Sequence, residues 1–170
     1  MATDLLEIEW QYAALDTRPV VRWLSGALPE GFTVTPRGVK ELDDAYFDTA
    51  DFHVNRAGYT CRIRRKGDKA ELTLKGMAEA NEGMRSRREL TEQLENLTVP
   101  PIAAPGACGA ILRAVSGRNP IREIFRLQTR REIFDLADTG GVIAEIAVDE
   151  TTIPVGEDRP VRLSRVEVEV

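Results

Sequence analysis

Glu7 and Glu9 near the start of the chain, and Glu167 and Glu169 at its end, are spaced two residues apart within the segments Glu7-Ile8-Glu9-Trp10-Gln11 and Val166-Glu167-Val168-Glu169-Val170. On a strand, successive side chains face opposite sides, so each segment has one apolar face and one face that stacks carboxylates about 6.6 Å apart. Bases show the same alternation. Arg62 and Arg64 alternate with Cys61 and Ile63, Lys75 shares a face with Glu71 and Thr73 opposite Leu72 and Leu74, and Arg87 and Glu89 share a face with Thr91. Glu145 and Asp149 lie opposite Ile146 and Val148. Arg131 is the basic candidate of the strand before them, and a one-residue slip of register would put Arg130 in its place.

Carboxylates in this number suit a hard divalent cation such as Mg2+ or Mn2+, which takes oxygen ligands and keeps waters while bridging to phosphate. Guanidinium forks grip phosphate oxygens two at a time. The two sets together suit a small phosphate ligand. Phosphoryl transfer needs positioning and charge neutralisation, and no covalent nucleophile.

These side chains need elements to hold them. A first strand is read over roughly 5–13, then a helix capped by Asp16 or Thr17, with Pro19 in its first turn, Val21, Leu24 and Leu28 at helical spacing, and an end near Gly31. A second strand runs over 39–47, followed by a helical turn over 51–57 that Gly58 ends. Strands at 59–66 and 70–77 join through Gly67-Asp68, and a further strand covers 86–94. Residues 95–105, with Pro100, Pro101 and Pro105, form a connector, and 107–116 a short helix ended by Gly117. Strands at 124–136, 142–149 and 162–170 complete a count of eight, with two or three helices and no internal repeat.

A flat sheet with one wet face would mix Ser, Thr and Asn among its outer residues, whereas these polar faces are almost wholly charged. Eight or so antiparallel strands can close around a cavity. Burying an uncompensated ion costs several kcal/mol, and a channel holding both signs, water and metal lowers that cost. The expected fold is therefore α+β, a closed eight-stranded antiparallel β-barrel forming a charged tunnel, with a few flanking helices.

Composition narrows the rest. At 170 residues, 42% hydrophobic and 30% charged, the chain reads as one ordinary globular domain. It has no apolar run near 18 residues, and acids stand where a signal peptide carries bases, so a cytoplasmic location without membrane contact is expected. Cys61 and Cys108 make neither a disulfide framework nor a metal-ligand spacing, and Cys61 should pack outside the channel. His53 is read as a surface residue. A net charge of -5 argues against a long nucleic acid as partner, yet grouped bases still admit small phosphate ligands.

Several segments in order resemble the CYTH domain of triphosphate tunnel metalloenzymes. They are Glu7-x-Glu9, Tyr46-Phe47-Asp48-Thr49, Gly58-Tyr59-Thr60-Cys61-Arg62-Ile63-Arg64, Leu72-Thr73-Leu74-Lys75, Arg87-x-Glu89, Ala144-Glu145-Ile146-Ala147-Val148-Asp149 and Glu167-Val168-Glu169. The resemblance spans residues 7–169 and implies an eight-stranded barrel that binds a triphosphate and divalent cations. Arg62, Arg64, Lys75, Arg87 and Arg131 are then the candidate substrate ligands. Glu7, Glu9, Glu89, Glu145, Asp149, Glu167 and Glu169 are the candidate metal ligands, with Glu89 as readily an orienter of Arg87. Structural pairing of Arg62 and Arg64 with Glu71 or Glu89 is the competing role.

Gln11 and Lys75 are the catalytic candidates. The family's opening motif is Glu-x-Glu-x-Lys, and Gln11 stands where that Lys is expected. Glutamine carries no charge and cannot act as a base, although it still donates hydrogen bonds. The expectation is a metal-dependent triphosphatase, slow because of Gln11, acting on tripolyphosphate or a small organic triphosphate; thiamine triphosphatase and adenylate cyclase activities are related possibilities. A noncatalytic polyphosphate or nucleotide-binding module is the alternative. Family members generally continue past the closing strand, some into a helical CHAD domain. The chain is thus read as a single domain over 1–170, either compact or the N-terminal part of a longer protein, with apolar surface expected at Val166, Val168 and Val170.

Overall fold

The structure, a computed structural model, describes residues 3–26, 28–67, 69–77, 84–95, 98–156 and 158–170. Along the chain lie β1 (Thr3–Ala14), α1 (Arg18–Leu24), β2 (Thr33–Asp48), α2 (His53–Arg56), β3 (Tyr59–Lys66), β4 (Lys69–Gly76), β5 (Met84–Leu94), α3 (Ala107–Ser116), β6 (Arg122–Asp138), β7 (Gly141–Val155) and β8 (Asp158–Glu169). The strands close into an antiparallel barrel in the order β1-β5-β4-β3-β2-β6-β7-β8, the architecture expected from the alternation of charge.

Two compact units divide the chain, and the core of each follows from strand alternation. The first holds the described residues within 3–7, 42–77 and 86–127. In it Cys61 and Ile63 of β3, Leu72 and Leu74 of β4 and Leu90 and Leu94 of β5 pack with Val54 of α2 and Cys108 and Leu112 of α3. Cys61 is therefore on the helix-covered apolar face, as expected. Gly109 is required here because a Cβ would collide with the Ala104 carbonyl. Glu92, on the same side of β5, is buried and accepts the Cys108 amide at 2.8 Å, meeting an otherwise orphaned donor of the first turn of α3.

The second unit holds the described residues within 8–41, 84–85 and 128–170. Here Phe134, Ile146 and Val148 bury against Leu24 of α1, with Val20, Val21, Val166 and Val168 packed around them. Val166 and Val168, where apolar surface was expected, are thus half-buried against this cluster, while Val170 is exposed.

The larger departures from expectation lie at α1, at β2 and in the β7–β8 pair. Helix α1 stops at Leu24 because Gly26 and Pro29 follow; Ser25 and Gly26 close it with bonds to Val21 and Trp23, so Leu28 lies outside it. Strand β2 starts at Thr33, six residues before the expected Val39, carrying Pro36 and Gly38. That stretch is solvent-exposed, where the missing proline donor costs little. Strands β7 and β8 extend beyond 149 and before 162 through the pairs Thr151 with Leu163 and Ile153 with Val161. Asp68 of the predicted turn and residues 96 and 97 of the predicted connector lie outside the described residues.

Candidate functional site

In the first unit the polar face of β3, β4 and β5 gathers five of the expected residues. Glu7 accepts from Lys75 Nζ at 2.7 and 3.0 Å and from Arg87 Nε at 2.9 Å. Lys75 Nζ lies 2.6 Å from Glu89 Oε2, and the Thr91 hydroxyl donates to Glu89 Oε1 at 3.1 Å. Burial alone would raise the Glu7 pKa, but Lys75 and then Arg87 outweigh it and hold the carboxyl below its ordinary 4.5. Lys75 is therefore a shared cation between two carboxylates.

Beside this cluster, Arg64 places its fork on Asp44, with Nε at 2.7 Å from Oδ1 and Nη2 at 2.8 Å from Oδ2. Arg62 reaches the same carboxylate at 3.9 Å and donates to Thr73 Oγ1 at 3.3 Å. Asp44 is thus a structural partner of these arginines that sequence reasoning, which offered Glu71 or Glu89, did not name, and Glu71 accepts from Gln93 at 2.8 Å. The strand pairing explains this, since Asp44 faces Arg64 and Tyr46 faces Arg62 across β2 and β3. Nε of Arg62 is buried without a hydrogen-bond partner among the described residues. A buried charged donor left unpaired is costly, and an anion seated there removes that cost.

The second unit holds most of the acids. Gln11 Nε2 donates at 2.8 Å to Oε1 of Glu9 and at 2.8 Å to Oε1 of Glu167. Arg131 grips Asp149 with Nε at 2.8 Å and Nη2 at 2.7 Å, and Nη2 also donates to Glu167 Oε2. Burial would lower the Arg131 pKa, but Asp149 and Glu167 raise it above the ordinary arginine value, keeping it charged. The register of β6, with Arg131 opposite Asp149, puts Arg131 rather than Arg130 on this face.

Glu9 faces Glu169 across β1 and β8, and Glu169 faces Glu145 across β8 and β7. Three carboxylates therefore stand side by side on three neighbouring strands. Like charges directly opposite destabilise a sheet unless something between them is positive. The donor set has the oxygen chemistry that Mg2+ or Mn2+ takes. Among the described residues, no three such side chains converge closely enough to hold an ion.

Sequence reasoning missed Asp44 and Arg165. Arg165 Nη2 lies 3.0 Å from Glu167 Oε1 and 3.4 Å from Asp149 Oδ2. Both shared the alternation of strands already read, Asp44 with Tyr46 and Arg165 with Glu167, so parity alone could have found them. His53 is half-buried at the start of α2, with Nδ1 3.3 Å from Asn119 Nδ2. Among the described residues, no helix is long and apolar enough to cross a membrane.

Comparison with solved structures gives the same fold at low identity. A candidate adenylate cyclase from Bacillus halodurans superposes with a TM-score of 0.68 at 20% identity, over 98% of this chain and 81% of that one. HpAC1 from Hippeastrum, an adenylyl cyclase candidate with a dominant triphosphatase activity, gives 0.61 at 20% identity over 96% and 79%. The PH1819 protein of Pyrococcus horikoshii gives 0.56 at 17% identity over 96% and 77%. No curated protein matches the chain. The CYTH domain family profile matches residues 22–170, which is most of the chain: the chain belongs to the CYTH domain family.

Proposed function

We propose that this chain is a metal-dependent triphosphatase that acts on tripolyphosphate or a small organic triphosphate. The observation that carries the reading is Arg62, whose buried Nε lacks a partner among the described residues, next to Arg64 on the same strand face. The dominant triphosphatase activity of the Hippeastrum relative supports it.

Arg62, Arg64, Lys75, Arg87 and Arg131 bind phosphate oxygens. A bound Mg2+ or Mn2+ would supply positive charge against the charge that develops on the phosphates. Not converged on an ion in this structure, Glu9, Glu145 and Glu169 would hold it largely through its waters, with Glu7, Glu89, Asp149 and Glu167 as the further candidate ligands. Lys75 lies between Glu7 and Glu89 and presents its ammonium group there. Gln11 has both hydrogen-bond donors committed to Glu9 and Glu167, which leaves its amide oxygen to orient a water and no group able to remove a proton. Turnover is accordingly slow.

That commitment of Gln11 also favours a second reading, a module that binds polyphosphate or nucleotides without turnover. One assay separates the two. The protein is incubated with tripolyphosphate, ATP and thiamine triphosphate, each with Mg2+, with Mn2+ and with chelator. Metal-dependent phosphate release establishes the enzyme, and tight binding with no release establishes the module.

A further inference from the structure

Two arginines of the second unit share the carboxylates Asp149 and Glu167 but are used differently. Arg131, 18% exposed, spends Nε and Nη2 on three hydrogen bonds to those acids. Arg165, 45% exposed, touches the same acids through Nη2 alone. Its Nε and Nη1 make no hydrogen bond or ion pair among the described residues. A guanidinium carries five N–H donors in a fixed fork. Most of this one is therefore open to a ligand on the polar strand face.

The oxygen that Arg165 approaches at 3.0 Å, Oε1 of Glu167, is the one that Gln11 holds at 2.8 Å. Gln11 supplies hydrogen bonds there without charge, and Arg165 supplies the charge. We infer that Arg165 is a phosphate-binding residue: it anchors on Glu167 and Asp149 through Nη2 and offers Nε and Nη1 to a phosphate oxygen, standing in for a cation at position 11. This rests on the triphosphate reading above. It adds a ligand that alternation had not assigned, and it makes positions 11 and 165 interdependent. A lysine at position 11 would put a second cation on an oxygen already served by Arg165.

The test is calorimetric titration of tripolyphosphate into the full chain with chelator present, so that binding is read without metal or turnover. The expected result is that Arg165→Ala weakens binding about tenfold or more and flattens its salt dependence, as loss of a charged hydrogen bond does, whereas Arg165→Lys stays within about threefold. Gln11→Lys should change affinity by less than about threefold alone and recover most of it in the Arg165→Ala background. Equal affinity for wild type and Arg165→Ala, or purely additive effects of the two positions, overturns the role of Arg165 while leaving the triphosphate site standing. Absence of binding by the wild type overturns both. If Arg165→Ala lacks the wild-type circular dichroism spectrum, Arg165→Gln is judged by the same criteria.

Discussion

Nε2 of Gln11 stands 2.8 Å from Oε1 of Glu167, so the neutral amide acts as a tie across the β1 and β8 pair. A lysine there would add a second cation beside Glu167 and a group able to exchange protons. Gln11→Lys is expected to raise metal-dependent phosphate release from tripolyphosphate by about tenfold or more, within the range that positioned acid-base groups contribute. Initial rates at saturating substrate check this, and an unchanged rate removes Gln11 as the limit on turnover.

Asp44 pairs with both Nε and Nη2 of Arg64 and lies 3.9 Å from Arg62 while almost entirely buried itself. Removing its charge takes an anion away from two guanidinium groups. Asp44→Asn should cost about 3 kcal/mol, or about 6–12 °C in Tm. Tripolyphosphate should raise the Tm of this variant more than that of wild type, because it supplies the missing anion. An equal shift in both proteins would show that Arg62 and Arg64 do not meet the ligand.

Glu7 has its folded pKa lowered by Lys75 and Arg87 against the opposing effect of burial. The unfolded chain binds its proton first as pH falls, so the stability from Glu7 is complete above its ordinary 4.5 and is lost as pH drops through the lowered folded value. The Tm gap between wild type and Glu7→Gln should be constant above that pH and shrink below it. Thermal melts across acid pH read the gap; one that persists undiminished into strong acid contradicts the pairing.

Cys61 and Cys108 are buried in the first unit's core, and burial pushes the Cys108 thiol up to about 12 and that of Cys61 higher. Only thiolates attack disulfide reagents readily. An aromatic disulfide reagent should leave both untouched in the folded protein and titrate two thiols after denaturation. Rapid reaction of either in the native state would contradict the packing.

Much of this arrangement was legible from period-two alternation, because a strand with charge on one parity and Leu, Ile or Val on the other has only one way to face a core. That logic placed Arg62, Lys75, Arg87, Glu145 and Glu167 on the polar face. Partner choice was not legible. Asp44 meets Arg64, and Glu9 meets Glu169, through pairings between strands far apart in sequence. Glu92 shares the parity of Leu90 and is turned to the apolar side, where its carboxylate caps α3, a role that only the packed helix reveals. The short α1 was overextended because Leu28 kept helical spacing past Gly26.

The central claim is that the chain binds a triphosphate, and Arg62 tests it most directly because its buried Nε, without a partner among the described residues, asks for an anion. Tripolyphosphate is titrated calorimetrically into wild type and Arg62→Ala, with circular dichroism confirming the fold of both. The expected result is saturable binding by wild type, weakened about tenfold or more in the variant. Indistinguishable affinities, or no binding by wild type, would contradict it.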